Sequence, residues 1–301
     1  MLMIPTVLGV ITMTFLLVHI VPGDPITALL GDFAQPADRA ALTAALGLDL
    51  PIHTQFINYL SGLLRADLGV SIMQHRPALE LLLERLPATL MLAALAMVLA
   101  LTIALPLGTI AAIKKNQWQD KTALSFSLVA FAMPNFWLGP LLMIVFGIWL
   151  GLLPVSGADT WQGIILPALT LGTGMSAMTL RLMRGSLLDV LSLDYMRTAT
   201  AKGLTWGQAI RRHAVPNALL PVVTIVFLQA GALLTGAIVT ETVFAWPGVG
   251  SLMIEALNQR DYPLIQACVL FIALVYVVMS LLADITYALV DPRVRYGEHQ
   301  A

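Results

Sequence analysis

Catalysis needs nucleophiles, acid–base pairs or metal ligands at fixed spacing, and this 301-residue chain offers few of them. Its five histidines, at positions 19, 53, 75, 213 and 299, show no HxxxH or HExxH spacing, so a metalloprotease centre has no support. One cysteine, Cys268, excludes an intramolecular disulfide and any thiolate-only zinc or iron–sulfur cage, and no metal site is expected. A GxSG serine motif, paired acids within one apolar run and a GxxxxGK(S/T) phosphate loop are all missing. Neither intramembrane proteolysis nor ATP hydrolysis is therefore expected of this chain, and no cofactor. A formal net charge of −1 speaks against nucleic-acid binding.

The chemistry left is mechanical and electrostatic, in a cationic segment around 183–217. Arg181, Arg184, Arg197, Lys202, Arg211 and Arg212 cluster here. The spacing predicts a helix over Leu187–Lys202, with Leu187, Leu188, Leu191 and Tyr195 on one stripe. Gly203 is placed to end it. Thr205-Trp206-Gly207-Gln208 then fits a capping box opening a second short helix, expected to run to about Ala214 and break before Pro216. A basic loop that only sets topology accounts for the charges. It does not account for a helix–glycine–helix elbow carrying Tyr195 and Trp206, which suits a lever moved by a soluble partner.

The elements that must hold this lever are membrane spans. The chain is 58% hydrophobic and 11% charged, and its mean hydropathy is +0.86. Soluble domains carry about 25% charged residues, so lipid must be part of the solvent. Six stretches are long enough to cross: Leu2–Val21, Ala88–Ile113, Ala123–Leu150 (with Pro134 and Pro140 inside), Ile164–Leu182, Ala218–Thr240 and Leu264–Leu289. The first reads as a retained span, because a cleaved signal would carry a basic leader and a shorter apolar run. Eleven basic residues fall on one side: Lys114, Lys115, Lys121, the six cations above, Arg293 and Arg295. Five fall on the other: Arg39, Arg65, Arg76, Arg85 and Arg260. The side with eleven is expected to be cytoplasmic, with both termini inside. The expected fold class is an all-α, polytopic, single transmembrane domain over 1–301.

Between spans, residues 22–87 form a structured outer loop. Ala37–Leu46 reads as a short helix, Pro51–Leu64 as an amphipathic helix through Ile52, Phe56, Tyr59, Leu60, Leu63 and Leu64, and Pro77–Arg85 as a short helix feeding the second span. The amphipathic helix either rests on membrane or neighbouring spans, or docks an external partner. Residues 242–263 read as an outer hairpin: a Trp246-Pro247-Gly248 turn, a helix over Ser251–Asn258 and a closing Arg260-Asp261-Tyr262-Pro263. It is a gate element or a simple interfacial hairpin. Ser127, Asn135, Gln229, Thr235, Glu241 and Trp246 are candidates for a pathway or gate, and interhelical packing is the competing reading for the polar ones.

Asp194-Tyr195-Met196-Arg197-Thr198-Ala199-Thr200-Ala201-Lys202-Gly203, followed by His213-Ala214-Val215-Pro216-Asn217-Ala218, resembles the EAA loop of bacterial ABC importer permeases. More narrowly the chain resembles the dipeptide/oligopeptide/nickel permease family. The resemblance runs through His19–Pro25, Ala45–Asp49, Asp67–Ser71, Ile165–Gly172, Glu241–Gly250, Arg260–Pro263 and Asp291–Arg293. The compact Ser156–Gly163 segment is most similar to the glutathione-importer and peptide-permease branches. Arg197 stands six before the glycine, where the general pattern has an acid; the peptide branch commonly reads this way, and Asp194 is the nearest acid.

The resemblance implies a type I ABC importer permease fold in the bacterial cytoplasmic membrane. It implies a second homologous permease subunit, and two ATP-binding subunits that hold ATP and Mg. A periplasmic or lipid-anchored binding protein delivers a short peptide, with glutathione or a nickel chelate as alternatives. ATPase coupling then falls to Asp194, Tyr195, Arg197, Thr198, Ala199, Lys202 and Gly203. A stand-alone secondary transporter is the competing class. It has only His19, Glu241 and Asp284 as ion or proton sites, all near span ends.

Overall fold

The computed structural model describes residues 3–20, 35–45 and 47–290. The His19–Pro25 motif beyond Ile20 and the Asp291–Arg293 motif lie outside them. Every element described is helical apart from one isolated bridge between Val70 and Pro77. Among the described residues, four helices are long and apolar enough to cross a membrane: Ala78–Ile113, Trp161–Leu191, Trp206–Leu233 and Tyr262–Thr286. Pro5–Leu16 is a shorter apolar helix. The Trp161–Leu191 segment is 67% buried in its apolar window, against 22–28% for the other three, so it is the most deeply packed of the four. The others keep apolar surface that only lipid or a partner subunit can cover.

Contacts group into two compact units, residues 1–89 with 247–277, and 90–246 with 278–301. The first unit contains α1 (Met3–Ile20), α2 (Pro36–Ala45), α3 (Ile52–Leu63) and the start of α4 (Ala78–Ile113). It also holds α11 (Val249–Gln259) and the start of α12 (Tyr262–Val290). The short helix expected before the second span is not separate: α4 runs unbroken from Ala78, since Leu81, Leu82 and Leu92 bury on one continuous helix. The amphipathic α3 rests on α1. Phe15 meets the Phe56 ring edge-on at 5.2 Å and the Tyr59 ring at 5.8 Å. Burial there pushes the Tyr59 phenol up to about 12.

Two separated sequence motifs converge in this unit. Asp261 is fully buried and caps α12, accepting from the Leu264 N–H at 3.3 Å. The same carboxylate accepts from the Ser71 hydroxyl and from the Ile72 and Met73 N–H groups at 3.2 and 3.3 Å. The Ser71 hydroxyl oxygen in turn accepts from the Gln74 N–H at 2.9 Å. Gly69 (φ +86°) lies under Pro263, where an added Cβ would sit 3.4 Å from the proline Cβ. Arg260, ending α11, is left-handed at φ 54°, a strain that turns the chain so that Asp261 can point inward.

The second unit contains the rest of α4 and α5 (Trp118–Ala132), then α6 (Asn135–Leu142), which continues as a π-helical stretch through Trp149. The core helix α7 (Ile165–Leu191) follows, then the short α8 (Asp194–Ala201) and α9 (Trp206–Ala209), and α10 (Val215–Val243). The stretch expected over Ala123–Leu150, with Pro134 and Pro140 inside it, is sharply bent: Trp118–Ala132 and Asn135–Trp149 meet at 104°. Pro134 is the cause. It forces Met133 into extended backbone (ψ 115°), and its own carbonyl starts the next helix by accepting from Trp137 and Leu138 N–H. Close packing sets α7 against α4, since a Cβ on Gly108 would sit 2.8 Å from the Leu180 carbonyl and one on Gly172 2.9 Å from the Ala96 carbonyl.

Asp261→Ala strands the buried donors of Ser71 and Leu264 and the part-buried N–H groups of Ile72 and Met73. The expected loss is about 3 kcal/mol, read as a lower melting temperature in detergent. A melting curve matching the parent protein contradicts that account.

Candidate functional site

The cationic elbow is built differently from the single helix expected over Leu187–Lys202. α7 continues to Leu191 and stops; Ser192 and Leu193 break the path, and α8 starts at Asp194. Leu193 adopts extended backbone (ψ 146°), so the chain changes direction before the Asp194 turn rather than within it. Leu187 and Tyr195 consequently do not share a stripe: Leu187 is fully buried and Tyr195 is exposed. The inward side chains of α8 are Met196 and Ala199.

These two join one apolar cluster with Ala112, Met183, Leu187, Ala209, Ile210, Ala214, Ala218 and Val222. Ala199, counted among the contact candidates, is therefore a packing residue, its methyl pointing into the protein. Asp194, Tyr195, Arg197, Thr198 and Lys202 stand on the exposed side of α8. Arg197 and Asp194 approach to 3.9 Å but are 87% and 96% exposed, so their attraction is screened and both remain available to a partner.

The elbow closes with two backbone bonds. Gly203 N–H donates to the Thr200 carbonyl at 3.0 Å, and Leu204 N–H to the Ala199 carbonyl at 3.3 Å. That is a Schellman arrangement, and it requires the left-handed φ of +94° seen at Gly203. No other atom lies within 4 Å of a Cβ placed there, so glycine serves the backbone and not a tight fit. Two residues later the capping box is complete. Thr205 Oγ1 accepts from the Gln208 N–H at 3.4 Å, and Gln208 Oε1 accepts from the Thr205 N–H at 3.0 Å. Trp206 is exposed beside it.

The expected break before Pro216 is also corrected. After Ala209 the helix widens into a π turn over Ile210–Ala214 and then runs on as α10. Pro216 follows that widened turn directly, and the helix passes through it unbroken. Arg211, Arg212 and His213 sit on that turn, continuous with a membrane-length helix. The elbow is thus joined to α7 through packed side chains and to α10 through continuous backbone.

The pathway candidates separate. Ser127 is buried and bonds its own helix at the Leu124 carbonyl (2.9 Å). Asn135 opens α6 just after the bend at Pro134, with its Oδ1 3.5 Å from where a Gly174 Cβ would be. Gln229 on α10 lies 3.1 Å from Thr179 Oγ1 and donates to the Met175 carbonyl at 3.4 Å, both on α7. Glu241 and Trp246 are buried, and the Trp246 N–H donates to the Glu241 carbonyl at 2.8 Å. The Thr235 side chain lies outside the described residues. Apart from the buried Ala199, the elbow candidates share one exposed stretch.

One ion pair was not expected: the Asp120 side chain in it is buried and that of Arg184 is partly exposed. Arg184 on α7 holds Asp120 on α5 through two parallel bonds, Nε to Oδ1 at 2.6 Å and Nη2 to Oδ2 at 2.8 Å. The only sequence signal was a lone acid three positions into a helix that follows a lysine-rich turn.

Residues 104–296 match the family described as the inner membrane component of binding-protein-dependent transport systems. Residues 2–93 match its N-terminal companion. The glutathione transport system permease protein GsiC of Salmonella typhimurium is 42% identical over 98% of this chain and 96% of its own length. The dipeptide transport system permease protein DppB of Escherichia coli K12 is 40% identical, with the same coverage of each chain. Among solved structures, the inward-facing MetNI methionine ABC transporter superposes with a TM-score of 0.59 at 18% identity. It covers 70% of this chain and 96% of the transporter chain. An amino acid ABC transporter solved with histidines gives 0.50 at 21% identity, over 71% and 94%. The expected all-α ABC importer permease fold is thus the fold present. This chain belongs to the family of binding-protein-dependent transport system inner membrane components, as a multi-pass permease protein.

Proposed function

We propose that this chain is one of two permease subunits of an ATP-driven importer for short peptides in the bacterial cytoplasmic membrane. An extracytoplasmic binding protein delivers the peptide. Two separate ATPase subunits, which bind the ATP and Mg, grip the elbow at Asp194–Gly203 and swing the pathway between its two facings. The reading takes α1 as a first span and the bent α5–α6 pair as one span, making six, with both termini cytoplasmic by the distribution of Lys and Arg.

The observation that carries this reading is the split of α8 into two faces. Met196 and Ala199 are buried against α7 and α10, while Asp194, Tyr195, Arg197, Thr198 and Lys202 point outward. A segment anchored on one side and charged on the other can transmit force from a partner to two spans. The 42% identity to a glutathione permease favours glutathione, itself a short peptide with free carboxylates, as the second substrate reading. Glu241 and Trp246 are retained as gate candidates, with Ser127, Asn135, Gln229 and Thr235 along the spans.

Gly203→Pro removes the N–H that bonds Thr200 and fixes φ near −65° where +94° is needed. Arg197→Glu reverses an exposed charge without touching the core. Both variants are expected to insert at parental levels yet lose most ATP-dependent uptake of labelled dialanine or glutathione in whole cells. Undiminished uptake in both contradicts the proposal.

Met196→Ala hollows the anchor behind the elbow. The expected cost is about 2–4 kcal/mol of local stability. Limited proteolysis at residues 192–205 should be faster than in the parent protein, and equal cleavage rates refute the anchoring role.

A further inference from the structure

The Asp120–Arg184 pair lies outside the elbow, and nothing in the elbow's contacts calls for it. Asp120 is 2% exposed. Its Oδ2 accepts a third bond, from the Asn116 N–H at 2.8 Å. Asn116 is held left-handed at φ 65° in the turn that ends α4. One carboxylate therefore ties together the end of α4, the first turn of α5 and the inner half of α7.

A buried ion pair is a weak stabiliser, because desolvating two charges cancels most of their attraction, and an apolar pair of equal size is often as stable. What the fork supplies is direction. Two coplanar bonds fix the angle between guanidinium and carboxylate, so a rotation or shift of α7 must drag the start of α5 with it. A second contact lies on the same face of α7, three residues earlier. The Arg181 guanidinium carbon sits 4.7 Å from the centroid of the Phe131 ring. Asp120 lies in the first turn of α5 and Phe131 in its last, two residues before the extended Met133. α7 thus grips α5 at both ends, and α5 leads directly into the 104° bend at Pro134.

Arg184 also stands between two members of the elbow's apolar cluster, Met183 and Leu187. We infer that Asp120 and Arg184 form a positioning strut that carries elbow movement from α7 to α5 and so to the bend at Pro134. The inference rests on the importer reading above. Motion enters α7 where Met183 and Leu187 bear on Met196 and Ala199. It leaves one residue away through the fork. Neither Asp120 nor Arg184 touches substrate or nucleotide in this role; both act by orienting the broken span.

The test uses the complete transporter, permease pair, ATPases and binding protein together, reconstituted in proteoliposomes with labelled dialanine and glutathione as probes. The double variant Asp120→Asn with Arg184→Met removes both charges at similar volume and keeps an acceptor for the Asn116 N–H, so assembly and melting temperature should stay near parental values. Substrate transported per ATP hydrolysed is expected to fall about tenfold, with the substrate concentration for half-maximal uptake unchanged. A merely structural pair would move the melting temperature and leave that ratio alone. Should the double variant not assemble, Arg184→Lys carries the test. It keeps the charge and loses the fork, and a fall of at least about threefold in the ratio is expected. A parental ratio in the variant overturns the strut. If the parental complex takes up neither probe in an ATP-dependent way, the importer reading falls and the strut with it.

Discussion

A backbone N–H or carbonyl taken out of water, whether by lipid or by protein, must find a partner, and that constraint shapes where this chain bends. A helix satisfies itself, so departures from helix occur where another group supplies the missing bond. At Gly203 the two bonds to Thr200 and Ala199 close the helix end. At Pro134 the missing donor is harmless, because the proline sits at a helix start. Before Pro216 a π turn absorbs the mismatch and the helix continues. At Asp261 a carboxylate takes donors from two distant segments at once. Each articulation is a solution to the same hydrogen-bond requirement.

This explains which parts of the fold were legible in the sequence. Long apolar runs announce helices, and α3, α2 and α11 fell close to where their spacing placed them. Gly203 and the Thr205–Gln208 box were readable because glycine at a helix end and a threonine–glutamine pair act locally. Pro134 and Pro216 were not separable by sequence. The same residue breaks one helix and begins another, depending on whether the preceding residue is extended or in a widened turn. The continuity of α4 through Ala78–Arg85 was missed for a similar reason: Pro87 lies inside an unbroken helix.

The elbow was legible as a position but not as a surface. Sequence periodicity placed Leu187 and Tyr195 on one stripe, which holds only if one helix runs through Ser192 and Leu193. The extended Leu193 resets the phase, so the buried positions become Met196 and Ala199. No local signal in the Ser192-Leu193 pair distinguishes a break from one more helical turn. Long-range pairs are harder still. Ser71 with Asp261, and Asp120 with Arg184, are 190 and 64 residues apart in sequence.

The two units solve different problems with the same chemistry. In the first, a buried acid accepts mainly from a serine hydroxyl and backbone N–H groups, and its geometry is spread over four donors on two segments. Losing one donor leaves the others in place, which suits a region that must hold its shape. In the second, a buried acid meets one guanidinium in a planar fork. A fork is stiff to rotation and fails as a unit. Stiffness of that kind transmits movement between helices, whereas the distributed arrangement around Asp261 resists it. The same residue type thus serves as an anchor where its partners are many and as a linkage where its partner is one.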